Sequence, residues 1–596
     1  MATRRTDDGF MNILGLSFDY HDAAAALLSN GRIIAAVHEE RFSRKKNDSG
    51  FPGQAVACCL EKAGLTAADL DWVVHYERPA LKFDRVLRTA MTQPRHAFGR
   101  LRETAVDWLR DGKFEVRERI CRSLGVARER VVFAEHHRAH AAAAFFCSPF
   151  EEAAVVTIDG VGEFATASIA HGRGRDIRPL MSVRYPHSLG LFYSAFTAYL
   201  GFEVNEGEYK VMGMASYGTP RLGREMLELF DLRPDGGFRL RQELFDFRWP
   251  EDMPFTQRLI DWLGPPRSPE SPFRPIGDDA DPDVRRSRHY ADVAASVQFC
   301  TEEVILHMVR HAMERCGCRQ VCLAGGVALN SVANGRIQRE LGCDLFVQPA
   351  AGDAGSALGA ALLQWHATPG HPRTPPLTTA HLGAEFGEAD ILAAIEEAFL
   401  IPARIFDTTE ELYDGVAERL AEGSVIGWFQ GRAEWGPRAL GARSILADPR
   451  RIDMKTIVNE KIKFREPFRP FAPSVLAERA TEYFELDPGG GPSSPERFML
   501  SVCRVRPDKA AEVPAITHVD GTARVHLVER AANPAYYDLI AAFAARTGTP
   551  MLLNTSFNLR GEPIVNAPAN AIRTFQWSGM DALVMGRCLL EKGEAL

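Results

Sequence analysis

The sequence predicts a two-lobed α/β body holding a ligand between its lobes, followed by a second unit beyond a proline-rich break. Three observations carry this. A strand that ends in Asp and runs into a hairpin occurs twice, and glycine-rich turns recur on a strand-turn-helix rhythm. His366-Ala-Thr-Pro-Gly-His-Pro-Arg-Thr-Pro-Pro376 reads as a connector, so a domain boundary belongs there.

Taken in order, Asn12 to Asp19 reads as a strand, Ala23 to Leu28 as a second, Asn30-Gly31 as a two-residue turn and Arg32 to Val37 as a third. Arg130 to Ala134 is a short strand, and the helix formers from Ala139 to Phe146 place His136 and His140 on the helix that follows. Four residues apart on a helix, two imidazoles share one face and can point at one metal ion. That is half a site, and carboxylates must come from elsewhere. The pattern is not His-Glu-x-x-His, so a zinc protease is not indicated. Taken alone, the pair reads more readily as surface or capping histidines than as ligands.

Ala154 to Asp159, Ala165 to Ala170 and the turn at Gly172-Arg173 repeat the opening pattern. Asp159-Gly-Val-Gly-Glu-Phe-Ala165 mimics a dinucleotide fingerprint, but a strand follows where that fingerprint needs a helix. Val321 to Asn330 and Phe346 to Gly359 are the further glycine-rich turns; each could cradle phosphate, or be plain turn punctuation. A helix starting near Ser356 would aim its positive end at a bound anion. Asp353, set among those glycines, repels phosphate unless a cation lies between them.

Beyond the connector, Gly431 to Ser444, Lys461 to Pro473, His518 to Arg524 and Asn554 to Gly561 each set Arg or Lys among Gly, Pro or aromatic residues. Guanidinium forks in such rigid surroundings suit a small phosphate or carboxylate. The chain has 596 residues and a formal net charge of -8, so no overall basic field recruits nucleic acid or an acidic membrane. Its eleven cysteines include no Cys-x-x-Cys pair, which points to reduced thiols in a cytoplasmic protein. Arg4-Arg5 and the apolar run after Met11 faintly resemble a signal peptide, but Asp19 and Asp22 follow at once, and no stretch approaches a membrane span.

Asp19-Tyr-His21, the His136/His140 pair, Glu206-Gly-Glu-Tyr-Lys-Val-Met-Gly-Met-Ala-Ser-Tyr-Gly218, Ala324-Gly-Gly-Val-Ala-Leu-Asn330, Gly352-Asp-Ala-Gly-Ser356, Trp435-Gly-Pro-Arg-Ala-Leu-Gly441 and Asn554-Thr-Ser-Phe-Asn558 together resemble the NodU/CmcH family of O-carbamoyltransferases. The resemblance runs in order from about Met11 to about Leu590. It implies an actin/hexokinase-type, Kae1-like α/β domain over 11–365, a linker over 366–378 and an α+β YrdC-like domain over 379–596, with residues 1–10 disordered.

The resemblance also implies roles. His136, His140, Asp159 and Asp353 match ligands of a divalent metal, iron (Fe2+) or another divalent ion in the family, with Mg2+ accompanying ATP as co-substrate. Lys210, Gly213, Gly325, Gly326, Asn330, Gly352, Gly355 and Ser356 fall in the ATP-binding loops. Arg438, Lys463, Arg469, Arg524, Asn558 and Arg560 match a carbamoyl phosphate pocket, with the register between Lys461 and Lys463 open. His21 is the expected general base, and Asp19 its orienter or an acid that binds the acceptor. The expected partners are small molecules, a homodimer is allowed, and nucleic acid and membrane are not expected. An actin-like kinase or sensor and a Kae1-type tRNA-modifying enzyme are the competing readings. Because carbamate is labile in water, the two sites should connect internally across an extensive interdomain interface.

Overall fold

The computed structural model describes residues 11–592 apart from 92–101, 103–104, 107, 111, 249–252 and 487–490. The expectation for residues 1–10 lies outside the described residues. The first sheet is built from β1 (Asn12–Ser17), β2 (Ala24–Ser29), β3 (Arg32–His38), β4 (Trp72–His75) and β5 (Val131–Phe133), in the order β3-β2-β1-β4-β5. Asn30 and Gly31 both sit at positive φ (49° and 75°), as a tight turn between twisted strands requires. The meander pairs antiparallel, whereas β4 and β5 run parallel to β1.

The second sheet repeats this plan. It comprises β6 (Glu152–Ile158), β7 (Ala165–Arg173) and β8 (Asp176–Arg184). After the small hairpin β9 (Phe230–Leu232) and β10 (Phe238–Leu240) come β11 (Gln320–Ala324) and β12 (Asp344–Val347). The order is β12-β11-β6-β7-β8, again an antiparallel meander whose first strand takes two parallel neighbours on its other side. Identical connectivity in both halves makes the duplication a property of the fold, and this is the two-lobed actin/hexokinase-like arrangement. The turn between β7 and β8 falls at Gly174-Arg175, past the expected Gly172-Arg173, because β7 stays paired through Arg173.

Acids at the ends of parallel-paired strands face the cleft where ligands of open α/β sheets bind. The helix Asp353–Ala367 locks the lobes together there. A Cβ on Gly15 would lie 1.8 Å from the Ala357 carbonyl oxygen, and one on Gly359 would lie 1.8 Å from that of Ala139. Backbone therefore meets backbone between this helix, β1 and the histidine helix. Gly359→Ala is expected to cost about 2 kcal/mol or more, because neither backbone can yield. Urea denaturation of the variant measures this, and an unchanged midpoint would contradict the close contact.

The C-terminal unit is a mixed eight-stranded sheet. Its strands are β13 (Arg404–Ile405), β14 (Ile426–Phe429), β15 (Arg443–Ala447), β16 (Ala472–Leu476), β19 (His526–Val528), β20 (Met551–Ser556), β21 (Ala582–Met585) and β22 (Cys588–Glu591). They lie in the order β13-β22-β21-β14-β15-β20-β16-β19, and β17 (Val502–Arg504) with β18 (Thr522–Arg524) forms a separate ribbon. Thr409–Glu422 and Pro534–Thr547 bury Val416, Leu420, Ile540 and Phe543 in one core, while Glu388–Glu397 and Pro568–Trp577 bury Ile391, Ile395, Ile572 and Phe575 in another.

The proline-rich segment packs along the N-terminal body: the Trp365 indole donates to the Pro372 carbonyl at 2.8 Å, and Leu377 N-H to Cys147 at 2.9 Å. The contact between the two parts is extensive. Trp435, Phe468 and Phe498 join the N-terminal hydrophobic core. Arg41 donates to the Gly436 carbonyl at 2.9 Å, and Arg44 reaches those of Pro563 and Ile564 at 2.7 Å each. Among the described residues no helix is long and apolar enough to cross a membrane.

Candidate active site

The helix His136–Phe145 begins one residue after Glu135, which is still extended (φ -92°, ψ 134°), so the first two-histidine turn is the helix's own N-terminus. His136 and His140 turn their Nε2 atoms to one point, 3.1 Å apart. Asp159, just past the end of β6, brings Oδ2 to 2.9 Å from His136 Nε2 and 3.3 Å from His140 Nε2. Asp353, the first residue of its helix, brings Oδ1 to 3.6 and 3.3 Å from the same atoms. One donor atom from each of the four residues lies within 4.8 Å of every other. Two nitrogens and two oxygens converging in a buried site fit a divalent first-row metal ion.

The electrostatics agree with that donor set. Burial opposes charge on all four groups, yet His140 is pushed up to about 9 and His136 is also raised, each by the neighbouring carboxylates. Asp159 and Asp353 are lowered by the histidines in spite of burial. The negative potential that retains protons on these imidazoles is the potential that would attract a cation in their place.

His137 points away, with Nδ1 3.0 Å from Ser168 Oγ on β7. It is 5% exposed, and burial together with His136 drives its pKa down to about 3, so it is a neutral core residue. His137→Ala is expected to cost about 2 kcal/mol of stability and to leave turnover within about twofold of wild type. Thermal unfolding and steady-state rates check the two halves separately.

His21 lies at the edge of the cluster, with Nε2 3.9 Å from Asp353 Oδ2. Its Nδ1 is held by Asp22 at 2.9 Å, so Asp22, not Asp19, occupies the orienting position. Asp19 is turned instead into a two-pronged pair with Arg119 at 2.8 and 3.1 Å. Both acids lie in the left-handed region (φ 77° and 54°), and that tight turn decides which of them faces the ring. Burial disfavours a charge on His21, but Asp353 and Asp22 outweigh it and raise its pKa to about 9.

The glycine loops divide into those that meet the cavity and those that shape it. Gly326 N-H donates to Asp159 Oδ1 at 3.2 Å, and Gly213, Gly326, Asn330 and Gly352 line the cavity. Gly325 is at φ 88°, and a Cβ there would lie 2.2 Å from the Ile158 carbonyl oxygen; one on Gly355 would lie 2.0 Å from that of Ala350. These two residues allow close backbone approach and sit behind the wall, as does fully buried Ser356. Asn330 caps the helix Ser331–Leu341 through Ala333 N-H at 3.1 Å and exchanges two 3.0 Å amide bonds with Gln298. The helix expected near Ser356 starts three residues earlier, at Asp353, so the acid stands in the first turn. Lys210 does not join these loops: its ammonium is 3.2 Å from Glu466 of the C-terminal unit.

The second cluster is basic. Glu434 accepts the N-H groups of Leu440, Ala442 and Arg443 at 2.8, 2.8 and 3.0 Å, which fixes the loop that presents Arg438. Gly436 in that loop is at φ 111°, where a Cβ would lie 2.5 Å from the Pro349 carbonyl oxygen, so the loop abuts the turn leading to Gly352. Arg438, Arg465, Arg469 and Arg524 line one stretch of wall. Burial lowers Arg438 to about 10, and burial plus the other arginines pull Arg465 and Arg524 well down. Among the described residues the Nε atoms of Arg438 and Arg524 have no hydrogen-bond partner. Guanidinium groups gathered at such cost call for an anion.

Arg465 was not among the expected residues; the alternation of basic and apolar residues in Lys461-Ile-Lys-Phe-Arg465 carried the only hint of it. Lys463 is 3% exposed and faces inward, its ammonium bonding Ser556 O at 2.7 Å, Asn558 O at 2.8 Å and Asn558 Oδ1 at 2.6 Å. It thus braces the loop that brings Asn558 to the cavity. Lys461 is exposed, which settles the register for Lys463 as the inward residue. Arg560 is 63% exposed and 4.0 Å from Glu466, so the structure leaves it at the surface.

A single cavity of about 1410 Å³ connects the clusters, lined at one end by His21, His136, Asp159 and Asp353 and at the other by the four arginines. Lys82, Arg85, Trp108, Phe247 and Met253 also line it.

A family profile described as the carbamoyltransferase N-terminus matches residues 12–362, and one described as the carbamoyltransferase C-terminus matches residues 417–592. A Synechocystis protein of uncharacterized function is 43% identical over 98% of this chain and 97% of its own length. The nodulation protein NolNO of Sinorhizobium fredii is 39% identical over 96% of this chain and 79% of its own length. NolO of Bradyrhizobium diazoefficiens is 41% identical over 77% of this chain and 79% of its own length. The profiles take in both clusters and the cavity between them, and the chain belongs to the carbamoyltransferase family and is a carbamoyltransferase enzyme.

Proposed function

We propose that the protein is an ATP-dependent O-carbamoyltransferase, which makes carbamoyl-adenylate from carbamoyl phosphate and ATP and passes the carbamoyl group to a hydroxyl of a natural-product acceptor. The observation that carries this reading is the single cavity joining a basic, anion-seeking pocket to a buried set of metal-type donors beside glycine-rich turns. Arg438, Arg465, Arg469 and Arg524 hold the phosphate dianion and assist its departure as water cleaves the carbamoyl C-O bond to give carbamate. Carbamate then passes within this one cavity rather than being released and recaptured. Its oxygen attacks the α-phosphorus of ATP and pyrophosphate leaves, forming carbamoyl-adenylate. The acceptor hydroxyl attacks the carbamoyl carbon, AMP leaves, and the hydroxyl proton passes to His21 Nε2, with Nδ1 steadied by Asp22.

His136, His140, Asp159 and Asp353 would hold the divalent ion, with iron suiting their mixed donors, and bound there it supplies charge compensation for the ATP phosphates. His21 needs its neutral form to act as a base, so the Asp353 charge that keeps it protonated must be engaged elsewhere, as it is when Asp353 ligates a cation. The wall of Lys82, Arg85, Trp108 and Phe247 is the proposed acceptor cleft. An actin-like kinase or sensor gives the arginine pocket no ligand, and family membership argues against the tRNA-modifying alternative. Incubation with ATP, carbon-13-labelled carbamoyl phosphate and pooled hydroxylated natural products tests the proposal. Pyrophosphate release that needs both phosphates, with label in a carbamate ester, is expected; no pyrophosphate with any acceptor rejects it.

A further inference from the structure

The helix Glu208–Ala215 lies in the N-terminal part of the chain, yet its first turn reaches the basic pocket. Lys210 on this helix grips Glu466, and Gly213 faces Pro470, whose Cδ would be 3.6 Å from a Cβ there. Tyr209, on the same helix, lines the cavity. The Arg469 guanidinium lies over its ring, 4.7 Å from the centroid. Arg438, Arg465 and Arg524 line the same cavity as this ring. Among the described residues none hydrogen-bonds that hydroxyl.

Two physical consequences follow. An arginine is long and flexible, and an aromatic face under its planar guanidinium restricts it to few orientations. An O-H with no hydrogen-bond partner among the described residues, in a cavity wall shared with those guanidinium groups, is poised to donate to an anion that they collect. Resting on the carbamoyl phosphate reading above, we propose that Tyr209 completes that substrate's site from the N-terminal body: its ring positions Arg469, and its hydroxyl donates a hydrogen bond to the phosphate. The pocket is then finished only when the helix Glu208–Ala215 is docked against the C-terminal unit, which ties capture of carbamoyl phosphate to the assembled cavity.

The test compares Tyr209→Phe, which keeps the ring and loses the hydroxyl, with Tyr209→Leu, which loses both, in the full-length enzyme. Carbamoyl phosphate and ATP are each titrated while pyrophosphate release is followed. The KM for carbamoyl phosphate is expected to rise about threefold in Y209F and about tenfold or more in Y209L, with the KM for ATP within about twofold of wild type throughout. Rescue by phenylalanine over leucine separates ring from hydroxyl. An unchanged carbamoyl phosphate KM in Y209L, or a parallel rise in both KM values, overturns the proposal. Arg524→Ala separates the layers: if it weakens carbamoyl phosphate while Y209L does not, only the role of Tyr209 falls. If Arg524→Ala has no effect either, the reading of the basic pocket falls with it.

Discussion

His140→Ala is expected to lower carbamoyl phosphate- and ATP-dependent pyrophosphate release by roughly 10³-fold, and to bring metal content after purification down with it. The argument starts from the geometry: His140 Nε2 is the donor placed symmetrically, 3.3 Å from both Asp159 and Asp353, and it is 1% exposed. Without it two buried carboxylates face each other with one imidazole between them, and a cation loses one of four donors. Two features distinguish this from a general loss of structure. Added divalent metal should partly restore the rate, because three donors remain and mass action can offset weaker binding. His137→Ala, one residue away on the same helix but turned toward Ser168, should keep both metal and rate. Metal analysis by mass spectrometry beside the rate assay decides the matter: an H140A enzyme with full metal content and full activity would remove the metal-site reading.

The four-residue cluster was legible because helical periodicity and the strand-Asp duplication are local patterns, and the fold only had to bring their ends together. His136 and His140 follow from spacing, Asp353 from an acid standing where an anion loop would not want it, and Asp159, the acid that ends a duplicated strand, joined them through the family resemblance. What the sequence could not convey is side-chain direction across a turn or an interface. Asp19 and Asp22 flank His21 almost symmetrically in sequence, and only their positive φ values turn one to Arg119 and the other to the ring. The same limit separates Lys463, Arg465 and Arg560: all are basic residues in motif-like runs, but one braces a loop, one lines the cavity and one is exposed. Lys210 was assigned to nucleotide for the same reason, although its partner Glu466 is 256 residues away. A contact of that range leaves no local trace. Neither does the parallel pairing of β1 with β4 or of β6 with β11, which depends on crossover connections rather than on periodicity.

Arg524→Ala is expected to cut kcat/KM for carbamoyl phosphate by about 10²- to 10³-fold, while turnover of supplied carbamoyl-adenylate stays within about threefold. Arg524 closes the short ribbon strand β18, so its backbone is held by pairing with Val502, and truncation of the side chain leaves the strand intact. Among the described residues its Nε has no hydrogen-bond partner, and the charges it feels are other arginines, so removing it relieves repulsion in the ligand-free protein. Stability should therefore hold or rise slightly while anion capture collapses, a combination that misfolding cannot imitate. Arg438→Ala should behave alike, whereas Arg560→Ala, at an exposed position with one 4.0 Å contact, should lose no more than about threefold. The division of labour within the cavity makes the comparison sharp. In the proposed order carbamoyl-adenylate is used after the basic pocket has finished its work, so only the end that holds His21 and the metal-type donors acts on it. If a folded Arg524→Ala enzyme loses both substrates equally, the two ends of the cavity do not perform separate steps, and the proposed order of reaction must be abandoned.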